Sequence, residues 1–279
     1  MIAAGIVNIV VNYAREEPVD KLRIGVQLRS LQLPFKKALL TAAQMGAKGV
    51  EIDARNDLPQ GELTDSAIRQ IRKMLDDLDL RVSAIAFPTR RGYNVREQLD
   101  ERVEATKKAM ELAYKFGTDV VINSVGRIPT EKEGADWDLL VQVLDDLGRV
   151  GMRVGAILAA DTGAEDSTVL KSLVDALPQG ALNVNLNPGQ ILINGFSALE
   201  AAQVLGQNIS SVHATDGVRD LGRGRGVETP LGSGSSDFPA IVATLQQFAF
   251  RGFCTVAPRG ATDLETIRNG VEFLDNILR

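Results

Sequence analysis

Side chains suited to proton transfer or to cation binding follow short apolar runs in the second half of the chain. They are Asp161, Asn187, Gln190, His213 and Asp216. A carboxylate and an imidazole can exchange protons with a substrate near neutral pH, and amide groups can hydrogen-bond its hydroxyls. These residue types predict a polar small-molecule site in which Asp161 and His213 are the candidate catalytic residues.

His213 is the only histidine in the chain, which limits the kinds of site it can belong to. A lone histidine is often structural, but the position of His213 at a strand end, with Asp216 following, favours a functional role. Without a second histidine, a His-rich zinc site and a two-metal hydrolase site are excluded. The chain also lacks the Gly-x-Ser-x-Gly sequence of a serine hydrolase nucleophile.

The segment from residue 216 to 238 is distinctive because it combines six glycines with three arginines. Guanidinium groups bind carboxylates and phosphates in a forked geometry, so Arg219 and Arg225 are candidates to hold an anionic substrate over the site. The Gly-Ser-Gly-Ser-Ser-Asp sequence ahead of the next helix also presents backbone N–H groups that suit an anion. A flexible, solvated loop without a ligand is the alternative, and the sequence favours neither.

The elements that must position these side chains form a repeating pattern of short apolar runs and amphipathic stretches. Eight runs are largely apolar and bounded by turn residues, which is typical of strands buried on both faces. They are residues 22–28, 48–53, 81–87, 119–124, 153–159, 182–187, 209–215 and 252–257. Glu51 lies at the end of the second run and joins the candidate substrate-binding residues, and Ala257 ends the eighth.

Between these runs lie stretches with apolar residues at helical spacing. Thr64 predicts the N-cap of one helix, and Gly46, Gly117 and Gly151 predict the ends of three others. Alternation without a linker predicts an α/β fold, a single-domain (β/α)8 TIM barrel over residues 21–279, with its site at the carboxyl ends of the strands. An open doubly wound sheet is the competing architecture, but no glycine-rich phosphate turn follows the first strand.

Residues 1–20 form a short, apolar N-terminal extension ahead of the predicted barrel. The apolar stretch is shorter than the roughly 20 residues that span a bilayer, and it lacks a basic start. An additional strand or a packed arm is therefore the preferred interpretation. A signal or anchor segment and a misassigned start are the alternatives.

Composition and charge limit the kinds of partner expected for this 279-residue chain. Its formal net charge of −5 gives no basic surface for a nucleic acid, and we expect neither a nucleic-acid nor a membrane partner. The single cysteine, Cys254, excludes an internal disulfide and a cysteine-based zinc site. It fits a reducing compartment, so the predicted location is the cytoplasm.

Five stretches carry a resemblance to a known family. In order they are AADTG (159–163), NLNPGQILING (185–195), SVHATD (211–216), GRGVETPLGSGSSDFPAI (224–241) and RGFCTVAPRG (251–260). With this order and spacing, the chain from Lys21 onward resembles the xylose isomerase-like TIM barrels. These are the sugar phosphate isomerase and epimerase group, which shares a superfamily with endonuclease IV-type barrels.

The resemblance implies a site for one divalent metal at four strand ends. In active members a Glu-Thr-Gly glutamate, an Asp-Pro-Gly aspartate, a histidine and a second glutamate hold the metal. The two glutamates also move a proton between adjacent carbons of a sugar. The corresponding positions here are Asp161, Asn187, His213 and Ala257, and a sugar-facing polar position after Asp-Pro-Gly corresponds to Gln190.

This chain departs from that ligand set. Asp161 keeps a carboxylate on a shorter side chain, Asn187 has lost the charge, and Ala257 offers neither a ligand nor a base. Divalent ions are held by deprotonated ligands in fixed number and geometry, so we interpret the metal site as degenerate. We expect no metal cofactor, or at most weak binding of a divalent ion.

The sequence therefore predicts a sugar isomerase- or epimerase-like barrel that binds a small carbohydrate or polyol acid, with weak, altered or absent isomerase activity. Asp161 and His213 are the predicted catalytic residues, and substrate contacts are assigned to Glu51, Asn187, Gln190, Asp216, Arg219 and Arg225. A non-catalytic binding or scaffold barrel, made homo-oligomeric by the N-terminal arm, is the alternative. A nuclease of the endonuclease IV branch is least favoured, because it needs several histidines and a basic groove.

Overall fold

The computed structural model describes residues 22–58, 63–220, 225–260 and 262–278. The predicted extension, residues 1–20, lies outside this range. The strands of the described part are β1 Arg23–Gln27, β2 Gly49–Asp53, β3 Arg81–Ala86, β4 Val120–Asn123, β5 Ile157–Asp161, β6 Asn183–Leu186, β7 Ile209–Ala214, β8 Asp216–Asp220, β9 Arg225–Thr229 and β10 Phe253–Val256.

The helices alternate with the barrel strands. They are α1 Phe35–Gln44, α2 Asp65–Asp77, α3 Leu99–Phe116, α4 Ala135–Val154, α5 Ser167–Asp175, α6 Pro188–Ile193, α7 Ala198–Leu205, α8 Phe238–Gln247 and α9 Leu264–Ile277. Each of the longer helices buries one apolar stripe, such as Ile68, Ile71 and Leu75 of α2, against the outside of the strands. None of the helices described is long and apolar enough to cross a membrane.

The predicted (β/α)8 TIM barrel is confirmed. Eight parallel strands close in the order β1-β10-β7-β6-β5-β4-β3-β2, so that the first and last barrel strands pair directly. The predicted strand at residues 252–257 is β10, because β8 and β9 form a separate antiparallel hairpin within the glycine-rich segment. This hairpin packs on α6, a short helix that the sequence pattern did not predict.

The caps of the helices follow the predicted residues with one exception. Thr64 accepts a hydrogen bond from the backbone N–H of Ala67, and Gly46 and Gly117 have the left-handed backbone expected after a helix. The end predicted at Gly151 is wrong, because α4 continues for almost one more turn to Val154.

A close backbone approach explains the glycine at position 151. A Cβ there would lie 2.7 Å from the carbonyl oxygen of Ala156, on the chain that leads into β5. Gly155, with φ of +87°, ends the helix instead. As a result β5 begins at Ile157, later than the predicted run.

The barrel strands bury both apolar and polar side chains. Apolar side chains such as Val26, Val50 and Leu158 fill the space between the strands and the helices. Polar side chains, including Glu51 and Asn185, are also fully buried, and they lie on strand segments that approach the carboxyl ends. The strands therefore carry a buried polar layer toward the mouth of the barrel, where TIM barrels hold their sites.

Candidate functional site

The mouth of the barrel contains two adjoining cavities. One, of about 750 Å³, lies over the ends of β1, β2 and β7 and is lined by residues that include Gln27, Glu51 and His213. The other, of about 780 Å³, lies beside the loops that follow β4 and β5. Ser124, Asp161 and Arg259 line both cavities and so form the boundary between them.

Glu51 and His213 form a buried pair across the barrel. Nε2 of His213 lies 2.6 Å from Oε2 of Glu51, although 162 positions separate the residues in the chain. The other carboxylate oxygen of Glu51 accepts a hydrogen bond of 2.7 Å from Nε2 of Gln27. The hydroxyl of Ser30 lies 2.6 Å from Oε1 of Gln27 and so holds its amide. The carboxylate is therefore satisfied on both oxygens and fixes the orientation of the imidazole.

The pKa of His213 is raised above its usual value. Burial alone would lower the pKa, but the negative charge and hydrogen bond of Glu51 and the charge of Asp161 outweigh it, with Arg259 opposing them. His213 therefore holds its second proton to higher pH than a free histidine does. An imidazole in this state can donate a proton to a ligand, and its neutral form can accept one.

Asp161 ends β5 and stands in contact with two neutral amides and one cation. Its Oδ1 accepts hydrogen bonds from Nδ2 of Asn185 at 2.8 Å and of Asn187 at 3.3 Å. Its Oδ2 accepts one of 2.7 Å from the guanidinium of Arg259. Nδ1 of His213 lies 3.9 Å from Oδ1, so the carboxylate and the imidazole face the same small region.

Asn187 is both a helix cap and a connector within the site. Its Oδ1 accepts hydrogen bonds from the backbone N–H of Gln190, at the start of α6, and from the hydroxyl of Thr215. With the oxygen held, the amide nitrogen is directed toward Asp161 and lies 3.4 Å from Nδ1 of His213. Asn187 thus acts as a hydrogen-bond donor toward the mouth, which a carboxylate could not do.

Arg259 follows β10 and reaches across the mouth. One terminal nitrogen donates to Oδ2 of Asp161 and the other to Oε1 of Gln190, each at 2.7 Å. Gly163 packs directly against Gln190, where a Cβ would lie 2.6 Å from the Cβ of Gln190. The backbone N–H of Arg259 donates to Glu228 on the β8–β9 hairpin, which ties the hairpin to the rim.

Asp216 holds the backbone of the loop that follows the hairpin. Its carboxylate is almost fully buried and accepts four backbone hydrogen bonds, from Gly217, Gly232, Gly234 and Ser236. Four donors occupy both oxygens, which accounts for the burial of this charge. Of the residues assigned to substrate, Asp216 therefore lies in the support of the loop rather than in a cavity wall.

The two loop arginines occupy different positions from Arg259. Arg219 lies on β8 with an exposed side chain and is not part of the lining of either mouth cavity. Arg225 begins β9, and its side chain lies outside the described residues. In the described part of the chain the arginine that reaches the candidate catalytic residues is Arg259, which the sequence placed at a strand end without a role.

A second acidic cluster borders the cavity over β2. Asp53 accepts hydrogen bonds from the backbone of Arg55 and Asn56, and Arg29 lies 3.6 Å from it. Asp57 accepts a hydrogen bond from the backbone N–H of Asp53, and burial, with the nearby charge of Asp53, raises its pKa to about 6. Arg29, Asp53 and Asn56 line the cavity, and the side chain of Arg29 is half exposed.

Comparison with known proteins places the chain in a family. The model of the xylose isomerase-like TIM barrel family matches residues 39–277. The chain belongs to this family. Comparison with curated proteins yields no match. The family predicted from the five sequence stretches is thus confirmed.

Solved structures share the fold of this xylose isomerase-like barrel at low sequence identity. A xylose isomerase domain protein from Planctomyces limnophilus superposes with a TM-score of 0.80 and 20% identity, covering 92% of this chain and 97% of its own. A xylose isomerase-like TIM barrel protein from Mycobacterium smegmatis in complex with magnesium gives 0.74 and 17%, covering 94% and 98%. The 3-keto-D-glucoside 4-epimerase from E. coli gives 0.70 and 16%, covering 92% and 100%.

Three of the four positions that correspond to the family's metal ligands, Asp161, Asn187 and His213, lie close together at the mouth. Asp161 is engaged by Arg259, His213 by Glu51, and Ala257 presents a buried methyl group. Across residues 22–58, 63–220, 225–260 and 262–278, no three His, Cys, Asp or Glu side chains are placed to hold a metal. Asn187 supplies a donor toward this region rather than a charged ligand.

Proposed function

We propose that this barrel binds a small carbohydrate or polyol acid at its mouth and acts as a sugar isomerase- or epimerase-like protein with weak or altered activity. The observation that carries the proposal is the lining of the cavity over β1, β2 and β7. There a carboxylate, an imidazole and a guanidinium, from Asp161, His213 and Arg259, face the same cavity. The E. coli epimerase acts, by its name, on a keto-glucoside, and it shares the fold over almost the whole chain.

The proposed chemistry is a proton transfer next to a carbonyl group. Asp161, or His213 in its neutral form, takes the proton from the carbon beside the carbonyl. The same group returns it to the former carbonyl carbon, while the proton of the neighbouring hydroxyl moves to the former carbonyl oxygen. Glu51 is a positioning residue, because both of its carboxylate oxygens are already held by Gln27 and His213 and it fixes the imidazole. Arg259 stabilises the negative charge that develops on the carbonyl oxygen.

We propose that this reaction needs no divalent metal and that the family's metal site is eroded in this chain. The support is the donor set, in which an amide and a methyl group stand where the resemblance implies charged ligands. Any divalent ion would bind weakly, because the positively charged guanidinium of Arg259 lies 2.7 Å from Oδ2 of Asp161.

Binding without catalysis is the second candidate, and Ala257 favours it. The resemblance implies two glutamates that share the proton transfer, and the buried methyl group of Ala257 cannot act as the second base. Loss of one acid–base group typically costs about 10²–10⁴-fold in rate. The barrel would then bind the same ligands and release them unchanged.

A thermal-shift screen of the full chain tests ligand binding. The panel contains ketoses, aldoses, their phosphates and aldonic acids, each with EDTA and with Mn²⁺. We expect at least one member to raise the melting temperature equally in both conditions, and expect Asp161→Asn and His213→Gln to lose that shift. Glu111→Ala, which changes an exposed residue on α3, is the matched control. If no member stabilises the wild-type protein, the carbohydrate proposal is wrong.

Isotope exchange separates the two candidates. A ligand found by the screen is incubated with the protein in D₂O, and NMR follows deuterium at the carbon beside its carbonyl group. Incorporation that Asp161→Asn abolishes supports the isomerase-like function. Binding without incorporation supports the non-catalytic candidate.

The cytoplasmic location and the homo-oligomer stay predictions. Sedimentation of the full chain and of a form without residues 1–20 tests the predicted homo-oligomer. An oligomer that is unchanged by the truncation contradicts a role for this segment in association.

A further inference from the structure

Arg259 combines an exposed position with fixed geometry. Half of its side-chain surface is exposed, yet both terminal nitrogens are held by acceptors of the barrel, Oδ2 of Asp161 and Oε1 of Gln190. A guanidinium carries five N–H donors, so this fork leaves further donors for a ligand. Because its planar group is already oriented, little conformational freedom is lost when a ligand oxygen adds to it.

The position of Arg259 makes it accessible from both sides of the mouth. It lines the cavity over β1, β2 and β7 and also the cavity beside the loops after β4 and β5. On the first side it faces His213 across Asp161, and on the second it stands near Gln190. A ligand in either cavity therefore meets the same fixed positive charge.

The same charge lies where a divalent ion would have to bind. Asp161 is the carboxylate among the four positions that correspond to the family's ligands, and one of its oxygens is taken by Arg259. Ala257, two residues before Arg259 in the chain, is buried and adds no negative charge. A metal ion at Asp161 would stand within a few ångströms of the guanidinium, and like charges at that distance repel strongly.

We propose that Arg259 is the resident cation of this site. It supplies from within the chain the positive charge that a divalent ion supplies elsewhere, keeps such ions away from Asp161, and selects ligands that direct a negatively charged oxygen, such as the carboxylate of a polyol acid, toward the mouth. The ligand class rests on the proposed function. The exclusion of metal does not, and its test needs neither a sugar nor a measurable activity.

The only histidine of the chain provides a direct probe of metal binding. The imidazole C–H signals of His213 can be assigned by comparison with His213→Gln, and Mn²⁺ bound at Asp161 would broaden them. We expect the Mn²⁺ concentration for half-broadening to fall by about tenfold in Arg259→Gln, as is typical when a partner of a ligand changes. Arg29→Gln removes another half-exposed arginine of the same cavity and is the matched control, with an expected change of less than about twofold.

A second pair of variants tests whether Arg259 competes with a metal ion for Asp161 when a further carboxylate is present. Ala257→Glu adds a carboxylate at the strand end, and Ala257→Glu with Arg259→Gln also frees Asp161. By calorimetry we expect the double variant to bind Mn²⁺ about ten times more tightly than the single variant. Circular dichroism checks that both fold, and the Arg259→Gln comparison decides the question alone if the buried substitution does not fold. Equal affinities in the compared proteins, or tight Mn²⁺ binding by wild type, overturn the proposal.

Gluconate and glucitol test the selected ligand, because they are polyols of equal length with and without a carboxylate. We expect wild type to bind gluconate more tightly than glucitol, Arg259→Gln to lose the preference, and Arg259→Lys to keep part of it. A preference that survives Arg259→Gln, or its absence in wild type, overturns the ligand class. If neither polyol nor any sugar binds, the carbohydrate function fails, while the Mn²⁺ measurements still decide whether Arg259 is the resident cation.

Discussion

The two sides of the barrel mouth hold their charges in different ways. On the side of β2 and β7, Glu51, His213 and Asp216 are buried, and every carboxylate oxygen has a fixed partner within the fold. On the side of β5 and β10, Asp161 pairs with Arg259, whose side chain is half exposed. The charged groups are thus enclosed on the first side, whereas on the second side the guanidinium that pairs with the mostly buried Asp161 is half exposed.

This difference separates stability from ligand binding. A buried charge that loses its partner costs several kcal/mol, so the β2–β7 side can change little without unfolding. An exposed ion pair contributes about 0–1 kcal/mol, so the β5–β10 side can exchange one partner for a ligand oxygen at small cost. We therefore expect substitutions on the first side to lower stability and substitutions on the second side to alter binding.

Glu51→Ala should have the largest effect on stability. The substitution leaves His213 and Gln27 without their buried partner, and we expect the free energy of unfolding to fall by about 4 kcal/mol. Urea denaturation at pH 6 measures it, with Glu111→Ala as the exposed control, which should change by less than about 0.5 kcal/mol. An equally small change in the free energy of unfolding of both variants would mean that the β2–β7 side contributes no more to stability than an exposed residue does.

Asp216→Ala should come next. Four backbone N–H groups of the loop lose their acceptor, and we expect a loss of about 3 kcal/mol, with a smaller loss for Asp216→Asn, which keeps one acceptor oxygen. Hydrogen exchange of the amides of Gly232, Gly234 and Ser236 reports the local effect. Unchanged exchange at these amides would contradict a structural role and return Asp216 to the ligand site.

The protonation of His213 should make stability depend on pH. Because its pKa is higher in the folded protein than the usual 6.5, the stabilisation is complete below pH 6.5 and is lost as pH rises through the folded value. The free energy of unfolding should fall by up to about 1.4 kcal/mol per pH unit in that window, the limit for one proton. Denaturation from pH 6 to 8.5 measures the slope, and it should disappear in His213→Asn; a slope retained in that variant assigns it to another group.

Arg259→Gln should have the smallest effect on stability. The arginine of this ion pair is half exposed, and Asp161 keeps its hydrogen bonds from Asn185 and Asn187, so we expect a change of less than about 1 kcal/mol in the same denaturation experiment. A loss as large as that of Glu51→Ala would show that Arg259 belongs to the enclosed framework, and its role as an exchangeable ligand contact would then be wrong.

Much of the fold could be predicted because it depends on local pattern. The apolar runs and amphipathic stretches give the eight barrel strands, and Thr64, Gly46 and Gly117 act as predicted. Gly151 could not be assigned correctly, because its role depends on contact with Ala156 after the chain has turned. The hairpin of β8 and β9 was not predicted, because glycine and arginine residues interrupt the alternation of apolar and polar residues that indicates a strand.

The positions of the candidate site residues could be read from strand ends, but their partners could not. Glu51, which was assigned to the ligand, lines the cavity and also holds His213. Arg259, which was given no role, contacts Asp161 at the mouth. The Pro-Arg-Gly sequence after Ala257 was the available signal for Arg259. This sequence gives the residue type at the rim but not the direction in which the side chain of Arg259 points.

By itself the sequence determined the barrel, the family and the loss of charged residues at two strand ends, since each follows from the order of residue types along the chain. Only the tertiary structure decided which charges meet. Closure of the barrel brings Glu51 to His213 and Asp161 to Arg259, pairs separated by 162 and 98 positions. Pairing at such distances depends on strand register and on burial, because a charge removed from water must find its partner wherever the closed sheet places one.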